Sequence, residues 1–274
     1  MKFDTFSFVF KIFILFIILL MIEGIFHNYY YKFSHHLSFL EYKMLAGPNP
    51  DIWNENGIVE IVQAIFLFFS VIIFSIYYYN FKKSYSVKFL NFILILYLLS
   101  MIYFLLEEIS WGQHIFGWKT LPFFKEVNTQ NENNFHNISN LLNELPRTLL
   151  TLWCSLGFLF YKYLKKFKEI SSDLLNFILP SKNLIKISIL LIVVLVPDLI
   201  IDKFNLHPGA PIFNSQIYVV DSIAPHEIFD FISLNFLRLS ELHELIFSFY
   251  ILIHSFYLMK IINLKKKLFV SKFM

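Results

Sequence analysis

Residues 107–114 form the segment whose residue types and spacing most strongly suggest chemistry. The segment reads Glu-Glu-Ile-Ser-Trp-Gly-Gln-His. If it is helical, Glu107, Ser110 and His114 share one face, because they are spaced at i, i+3 and i+7. A carboxylate, a hydroxyl and an imidazole on one stripe could bind a metal ion or relay a proton. The alternative is a polar helix end in which Trp111 is an interfacial anchor.

The neighbouring carboxylates of Glu107 and Glu108 do not form a pair on one face. Adjacent side chains on a helix point about 100° apart, so we expect one to face the helix bundle and the other a nearby loop. With Ser110 and His136 they make up the predicted catalytic set, and Gln113 is a predicted substrate contact.

A second acid and imidazole pair follows in the asparagine-rich stretch 128–137. Glu132 and His136 stand at i and i+4, a spacing that suits two ligands of one metal ion on a helix. A solvated loop helix is the alternative. The predicted ligands of a divalent metal such as Zn²⁺ are His114, Glu132, His136, Glu241, His243 and Glu244.

Further ionisable residues lie at the ends of apolar segments, where we expect substrate contacts. Asp198 follows Pro197, which removes a backbone hydrogen bond and frees a carbonyl near a polar cavity. Arg238 is three residues before Glu241, so direct pairing competes with binding a lipid phosphate. The predicted substrate-binding residues are Glu60, Gln113, Arg147, Asp198 and Arg238.

Six apolar segments must position these side chains. Each approaches the ~20 residues that cross ~30 Å of hydrocarbon. Most of the 23 Lys and Arg fall on one side of these spans and most of the 20 Asp and Glu on the other. Short cytoplasmic loops retain Lys and Arg, so both termini are predicted to be cytoplasmic. The predicted spans are Phe6–Phe26, Ile58–Tyr79, Phe89–Ser110, Thr148–Tyr163, Leu184–Ile201 and Glu241–Ile262.

The composition supports an all-α, polytopic membrane bundle folded as one domain over residues 1–274. The chain is 57% hydrophobic and 16% charged, against about 45–50% and about 25% in soluble domains. Short amphipathic helices are expected in the outer loops, including one over Asn134–Leu142. We expect the single Cys154 to be a small buried residue and His254 to be a histidine packed in the core. The sequence shows no patch of basic and aromatic residues, so we do not expect a nucleic-acid partner.

Three blocks of the chain resemble a family of bacterial multi-pass membrane proteins that carries an EEISWGQ-type motif. They are 107–117 (EEISWGQHIFG), 128–137 (NTQNENNFHN) and 55–63 (ENGIVEIVQ), about a third of the chain. In that family an arginine commonly stands at the position of His114. The resemblance implies a membrane protein with a polar outer site and implies no activity.

Two enzyme superfamilies are more faintly similar. Ser110 and His114 match the Ser-x-x-x-His of alkaline ceramidase-like membrane hydrolases, but Phe247 stands where their last span has a second histidine after His243. The CAAX-type intramembrane proteases carry Glu-Glu-x-x-x-Arg. This chain matches the two glutamates but has Gly112 at the arginine position.

Three functions follow as hypotheses for a protein of the bacterial inner membrane, in contact with the bilayer. The first is a metal-dependent hydrolase of a lipid or envelope substrate, in which a metal activates water and a carboxylate accepts its proton. The second is a transporter or flippase-like protein that uses its membrane carboxylates. The third is a non-catalytic protein of envelope assembly that binds a partner through its outer loops.

Overall fold

Every regular element of the described chain is a helix. The structure is a computed structural model that describes residues 3–34, 50–53, 57–84, 88–128, 132–135, 138–164, 179–204 and 238–270. In chain order the α-helices are α1 (Phe3–Ser34), α2 (Pro50–Trp53), α3 (Ile58–Ser84), α4 (Lys88–Glu108), α5 (Gln113–Phe116), α6 (Pro122–Val127), α7 (Asn140–Leu164), α8 (Ile185–Phe204) and α9 (Leu239–Val270). Single 3₁₀ turns occupy Ser110–Gly112 and Lys182–Leu184. The predicted all-α fold class is confirmed.

Four of these helices are long and apolar enough to cross a membrane. The spans are Phe6–His27 in α1, Ile58–Lys83 in α3, Lys88–Glu108 in α4 and Leu239–Ile262 in α9. They coincide in position with the first, second, third and sixth predicted spans. Within the described residues, the apolar parts of α7 and α8 are shorter, Thr148–Gly157 and Ile185–Pro197. The fourth and fifth spans therefore stay predictions.

The ends of α3 show why this segment begins and ends where it does. Glu60 lies in its first turn, and Lys82 and Lys83 lie in its last. Carboxylates near the N-terminus and ammonium groups near the C-terminus both stabilise the helix dipole. Between them the sequence is mainly apolar, as expected of a helix surrounded by lipid and other helices.

The chain divides into two compact units. One comprises Met1–Glu60 and Val193–His243, and the other comprises Ile61–Ile192 and Glu244–Met274. In the first unit, Phe13, Ile17 and Leu20 are buried along one stripe of α1. In the same unit, Nη1 of Arg238 donates a hydrogen bond of 3.2 Å to the backbone oxygen of Trp53.

The second unit has a core contributed by three spanning helices. Residues at intervals of three, four or seven face inward, so each helix buries one stripe. Helix–helix contact in a bilayer depends on such close packing because lipid tails are as apolar as the side chains. The buried core consists of Leu67, Phe74, Tyr77 and Phe81 of α3, Leu90, Leu94 and Met101 of α4, and Ile251, Leu258 and Ile262 of α9.

A polar and aromatic contact joins α7 and α8 in this unit, near the buried His254. Oγ of Ser188 donates to the backbone oxygen of Cys154 at 2.8 Å. His254 of α9 is buried among the rings of Tyr97, Trp153 and Tyr250, with centroids 5.8 to 6.2 Å apart. The predictions of a buried cysteine and a packed core histidine are both confirmed.

Candidate functional site

The polar site lies where α4 ends, and its backbone departs sharply from a helix there. Ser110, Trp111 and Gly112 all have positive φ, at 45°, 55° and 88°. Glycine adopts this conformation freely, whereas for serine and tryptophan it is strained by about 1–3 kcal/mol each. The prediction that the helix continues through residues 107–114 is therefore wrong, because α4 ends at Glu108.

The carboxylate of Glu107 explains what holds this turn. Nε1 of Trp111 donates to Oε1 at 2.7 Å, and the backbone N–H of Phe135 donates to Oε2 at 2.7 Å. Glu107 is buried, as expected for the inward-facing member of the pair, while Glu108 is half-buried. Short bonds to an ionised acceptor are among the stronger hydrogen bonds in proteins. Glu107 thus ties the end of α4 to a residue 28 positions later in the chain.

A second buried carboxylate, that of Glu132, is bonded to the turn that follows α4. Its Oε2 accepts hydrogen bonds from Oγ of Ser110 at 3.0 Å and from Nδ2 of Asn134 at 2.7 Å. Nδ2 of Asn134 also lies 3.3 Å from Oγ of Ser110. All three side chains are buried. Glu132 is not part of a helix, so its predicted i, i+4 helical pairing with His136 is wrong at this end, and His136 itself lies outside the described residues.

Asn128 closes the loop that carries Glu132. Its Nδ2 donates to the backbone oxygen of Glu132 at 2.9 Å, and to the backbone and side-chain oxygens of Asn134 at 3.2 and 2.8 Å. We name the buried set Glu107, Ser110, Asn128, Glu132 and Asn134 the clasp. The predicted amphipathic helix over Asn134–Leu142 is wrong at its start: Asn134 and Phe135 are not helical, and α7 begins only at Asn140.

Gln113 extends the network across the segment between α4 and the clasp loop. Its Oε1 accepts from the backbone N–H of Asn133 at 2.8 Å, and its Nε2 donates to Oγ1 of Thr120 at 3.1 Å. Oδ1 of Asn133 in turn accepts from the backbone N–H of Leu121 at 2.8 Å. Gln113 therefore bonds other parts of the same segment, and its role as a substrate contact stays a prediction.

The remaining predicted site residues lie elsewhere or outside the described side chains. Arg238 and Glu241 pair at 3.5 Å, as their spacing predicts. Glu60 is half-buried in the first turn of α3 and His243 is fully buried; both belong to the first unit. Glu244 is half-buried and belongs to the second. Only the backbone is described at His114 in α5, Arg147 in α7 and Asp198 in α8.

The structure brings together Glu107, Ser110, Gln113 and Glu132 from the predicted set, and adds amide partners that the sequence reading did not single out. These are Asn128, Asn133 and Asn134, together with Thr120. Asparagine both donates and accepts, so the run of asparagines next to Glu132 was the signal that could have identified them. Within the described residues, no group of three or more His, Cys, Asp or Glu is placed to hold a metal ion.

In the clasp, two buried carboxylates accept hydrogen bonds from donors of the same chain. Burying an ionised carboxylate is unfavourable unless it is paired and hydrogen-bonded, and the amide, hydroxyl and indole groups provide those bonds. The arrangement is suited to holding residues 109–128 and 132–135 to one another. No family model, curated protein or solved structure matches the chain.

Proposed function

We propose that the chain is a non-catalytic membrane protein whose residues 109–128 and 132–135 form a rigid platform that binds another component of the membrane or envelope. The observation that carries the proposal is the engagement of both Glu107 oxygens at 2.7 Å by groups of the same segment. A general base or metal ligand directs a lone pair at its substrate or ion. Here the short bonds of Glu107 run to the protein, which favours a structural role.

Preorganisation is the physical advantage of such a platform. A loop that is ordered before it binds avoids the entropy loss of ordering on association. The clasp holds residues that are 22 to 28 positions apart in the chain. The exposed Lys125 and Glu126 of α6, which we name the polar edge, supply charged groups for contact with a partner.

Crosslinking in native membranes tests the proposal. With a photo-crosslinking residue in place of Lys125, we expect a discrete adduct, because a folded platform presents a defined surface. Asn128→Ala removes the donor of three hydrogen bonds inside the clasp and should abolish that adduct. The matched control is Asn183→Ala, the same change at an exposed position outside the clasp and the polar edge, which should leave the adduct intact. An equal adduct yield in the Asn128→Ala protein would contradict the proposal.

A serine-type hydrolase is the second candidate, and one observation favours it. Ser110 has a strained positive φ, and its Oγ donates to the carboxylate of Glu132 at 3.0 Å. A hydroxyl bonded to a base is the usual arrangement of an activated nucleophile. A fluorophosphonate probe discriminates the two candidates. Labelling of Ser110 that disappears in both Ser110→Ala and Glu132→Gln would establish the hydrolase and refute the non-catalytic platform.

A further inference from the structure

The segment between the 3₁₀ turn and the clasp loop exposes five large apolar side chains within nine residues. Their exposed fractions lie between 47% and 71%. Isolated exposed apolar residues are ordinary, but a contiguous group marks a surface that binds an apolar partner. We name this group the aromatic face; it consists of Ile115, Phe116, Trp118, Leu121 and Phe123.

The backbone builds the aromatic face in place. The rings of Phe116 and Trp118 stack with centroids 5.1 Å apart. They lie over Gly112, where an added Cβ would approach them to 3.0 and 3.2 Å. Gly117, at φ 66°, ends α5 between the two rings in sequence. These glycines let the chain turn twice within six residues, so both rings are presented by a fixed turn.

The aromatic face follows, along the chain, a helix with exposed apolar side chains. On α4 the exposed side chains include Phe92, Leu99 and Tyr103, which face the hydrocarbon if the helix spans a membrane. The ring of Tyr103 packs edge-on against Trp111 at 6.3 Å. Trp111 directly precedes Gly112, over which the aromatic rings lie. Exposed apolar side chains of the span are therefore followed along the chain, through the Tyr103–Trp111 contact, by those of the aromatic face.

The flanking charges agree with a position at the headgroup level. Lys119, next to Trp118, is exposed. Tryptophan is enriched at membrane interfaces, and a neighbouring lysine is attracted by lipid phosphates. Lys125 lies two residues after Phe123, about 200° around α6 at 100° per residue, so Lys125 lies on the side of the helix away from Phe123.

We propose that the aromatic face lies in the headgroup layer of the bilayer at the Glu108 end of α4, with lipid as its occupant. Phe116, Trp118 and Phe123 insert beside the acyl chains, and Lys119 contacts phosphate. The clasp then fixes the depth at which the platform sits, because it joins the segment to the end of α4. This goes beyond the proposed function, which places partner binding on the polar edge.

Nitroxide depth measurements on the full chain in vesicles test this proposal. Cys154→Ala removes the single cysteine, and Phe116→Cys or Lys125→Cys then introduces one label site. In dilute vesicles of phosphatidylcholine and phosphatidylglycerol, the label at 116 should collide with dissolved oxygen and be shielded from a water-soluble nickel complex. The label at 125 should show the reverse. Equal exposure of both labels to the nickel complex would overturn the proposal.

The proposal is also tested by how the shielding depends on protein density in the vesicle and by a fluorescence measurement that uses no labelled protein. If shielding at position 116 appears only when the chain is crowded in the vesicle, the occupant is a second copy and the lipid proposal fails. In the chain with all its native tryptophans, brominated lipids should quench a component of the fluorescence that Trp118→Phe removes. An unchanged quenched component in that variant would also overturn the proposal. Neither result bears on adduct formation at the polar edge.

Discussion

Replacing Glu107 by glutamine should release the 109–135 segment locally. Both Glu107 oxygens accept bonds of 2.7 Å. Glutamine keeps one acceptor oxygen but directs an NH₂ group at the other donor. One bond to a charged acceptor is therefore lost, which corresponds to about 1.5–3 kcal/mol. Trp111 is partly exposed, so its indole N–H can turn to water, and we expect the lower half of this range if the amide oxygen stays on Phe135.

Hydrogen exchange at the Phe135 amide measures this effect directly, because that N–H is itself a donor to Glu107. A local opening free energy lowered by 1.5–3 kcal/mol accelerates exchange by about 10- to 150-fold, since about 1.4 kcal/mol is a factor of ten. Glu107→Leu removes both acceptors and should lower it by about 3–6 kcal/mol.

Glu126→Gln is the matched control, because it makes the same chemical change at an exposed position of the same segment. Its Phe135 amide should exchange at the wild-type rate. Equal exchange in the Glu107→Gln and Glu126→Gln proteins would refute the reasoning, since the clasp would then contribute nothing to the order of the segment.

Three other predictions concern separate features. Gly112→Ala should destabilise the segment more than Gly117→Ala. Both positions have positive φ, which costs about 1–2 kcal/mol for alanine, but only a Cβ at position 112 would also press on two rings. Equal melting temperatures of the two variants would contradict this. The free energy of unfolding of His254→Phe in denaturant should be within about 1 kcal/mol of the wild-type value, because the Nδ1 of the buried histidine has no hydrogen-bond partner among the described residues. His254→Ala should lose about 3 kcal/mol or more, because it leaves a cavity. A larger loss for phenylalanine would show that the imidazole has an essential polar contact. A double-mutant cycle on Arg238 and Glu241 should give a coupling below about 1 kcal/mol, since the pair at 3.5 Å is partly exposed; a coupling of several kcal/mol would indicate a desolvated pair.

Helix type and span position could be predicted from the sequence because hydropathy and length determine them. The span Lys88–Glu108 was placed to within two residues at each end. Helical periodicity failed directly after it. The i, i+3 and i+7 spacing in residues 107–114 assumed continued helical dihedrals, whereas three positive φ values follow Glu108. The spacing of residues within one helix does not predict a hydrogen bond to a residue 28 positions away.

The candidate site was partly predictable for the same reason. The sequence analysis singles out Glu107 as catalytic and Glu132 as a metal ligand, and both are buried acceptors of hydrogen bonds in the structure. Their role was read as catalytic because acids beside hydroxyl and imidazole groups suggest acid–base chemistry. The asparagine partners change that reading, since they supply donors to the carboxylates. The pairing of hydrogen-bond donors with acceptors depends on the path of the loop. That path is in turn stabilised by the same hydrogen bonds.

The distance along the chain between Glu107 and its second donor has a consequence for biogenesis. Synthesis completes α4 well before Phe135 leaves the ribosome. Until then the carboxylate at the end of the span lacks the backbone N–H that it accepts in the finished protein. Residues through 135 must therefore reach the same side of the bilayer as Glu107 before the end of α4 attains its final form. Inserting the span and setting its terminus are accordingly two events separated in time.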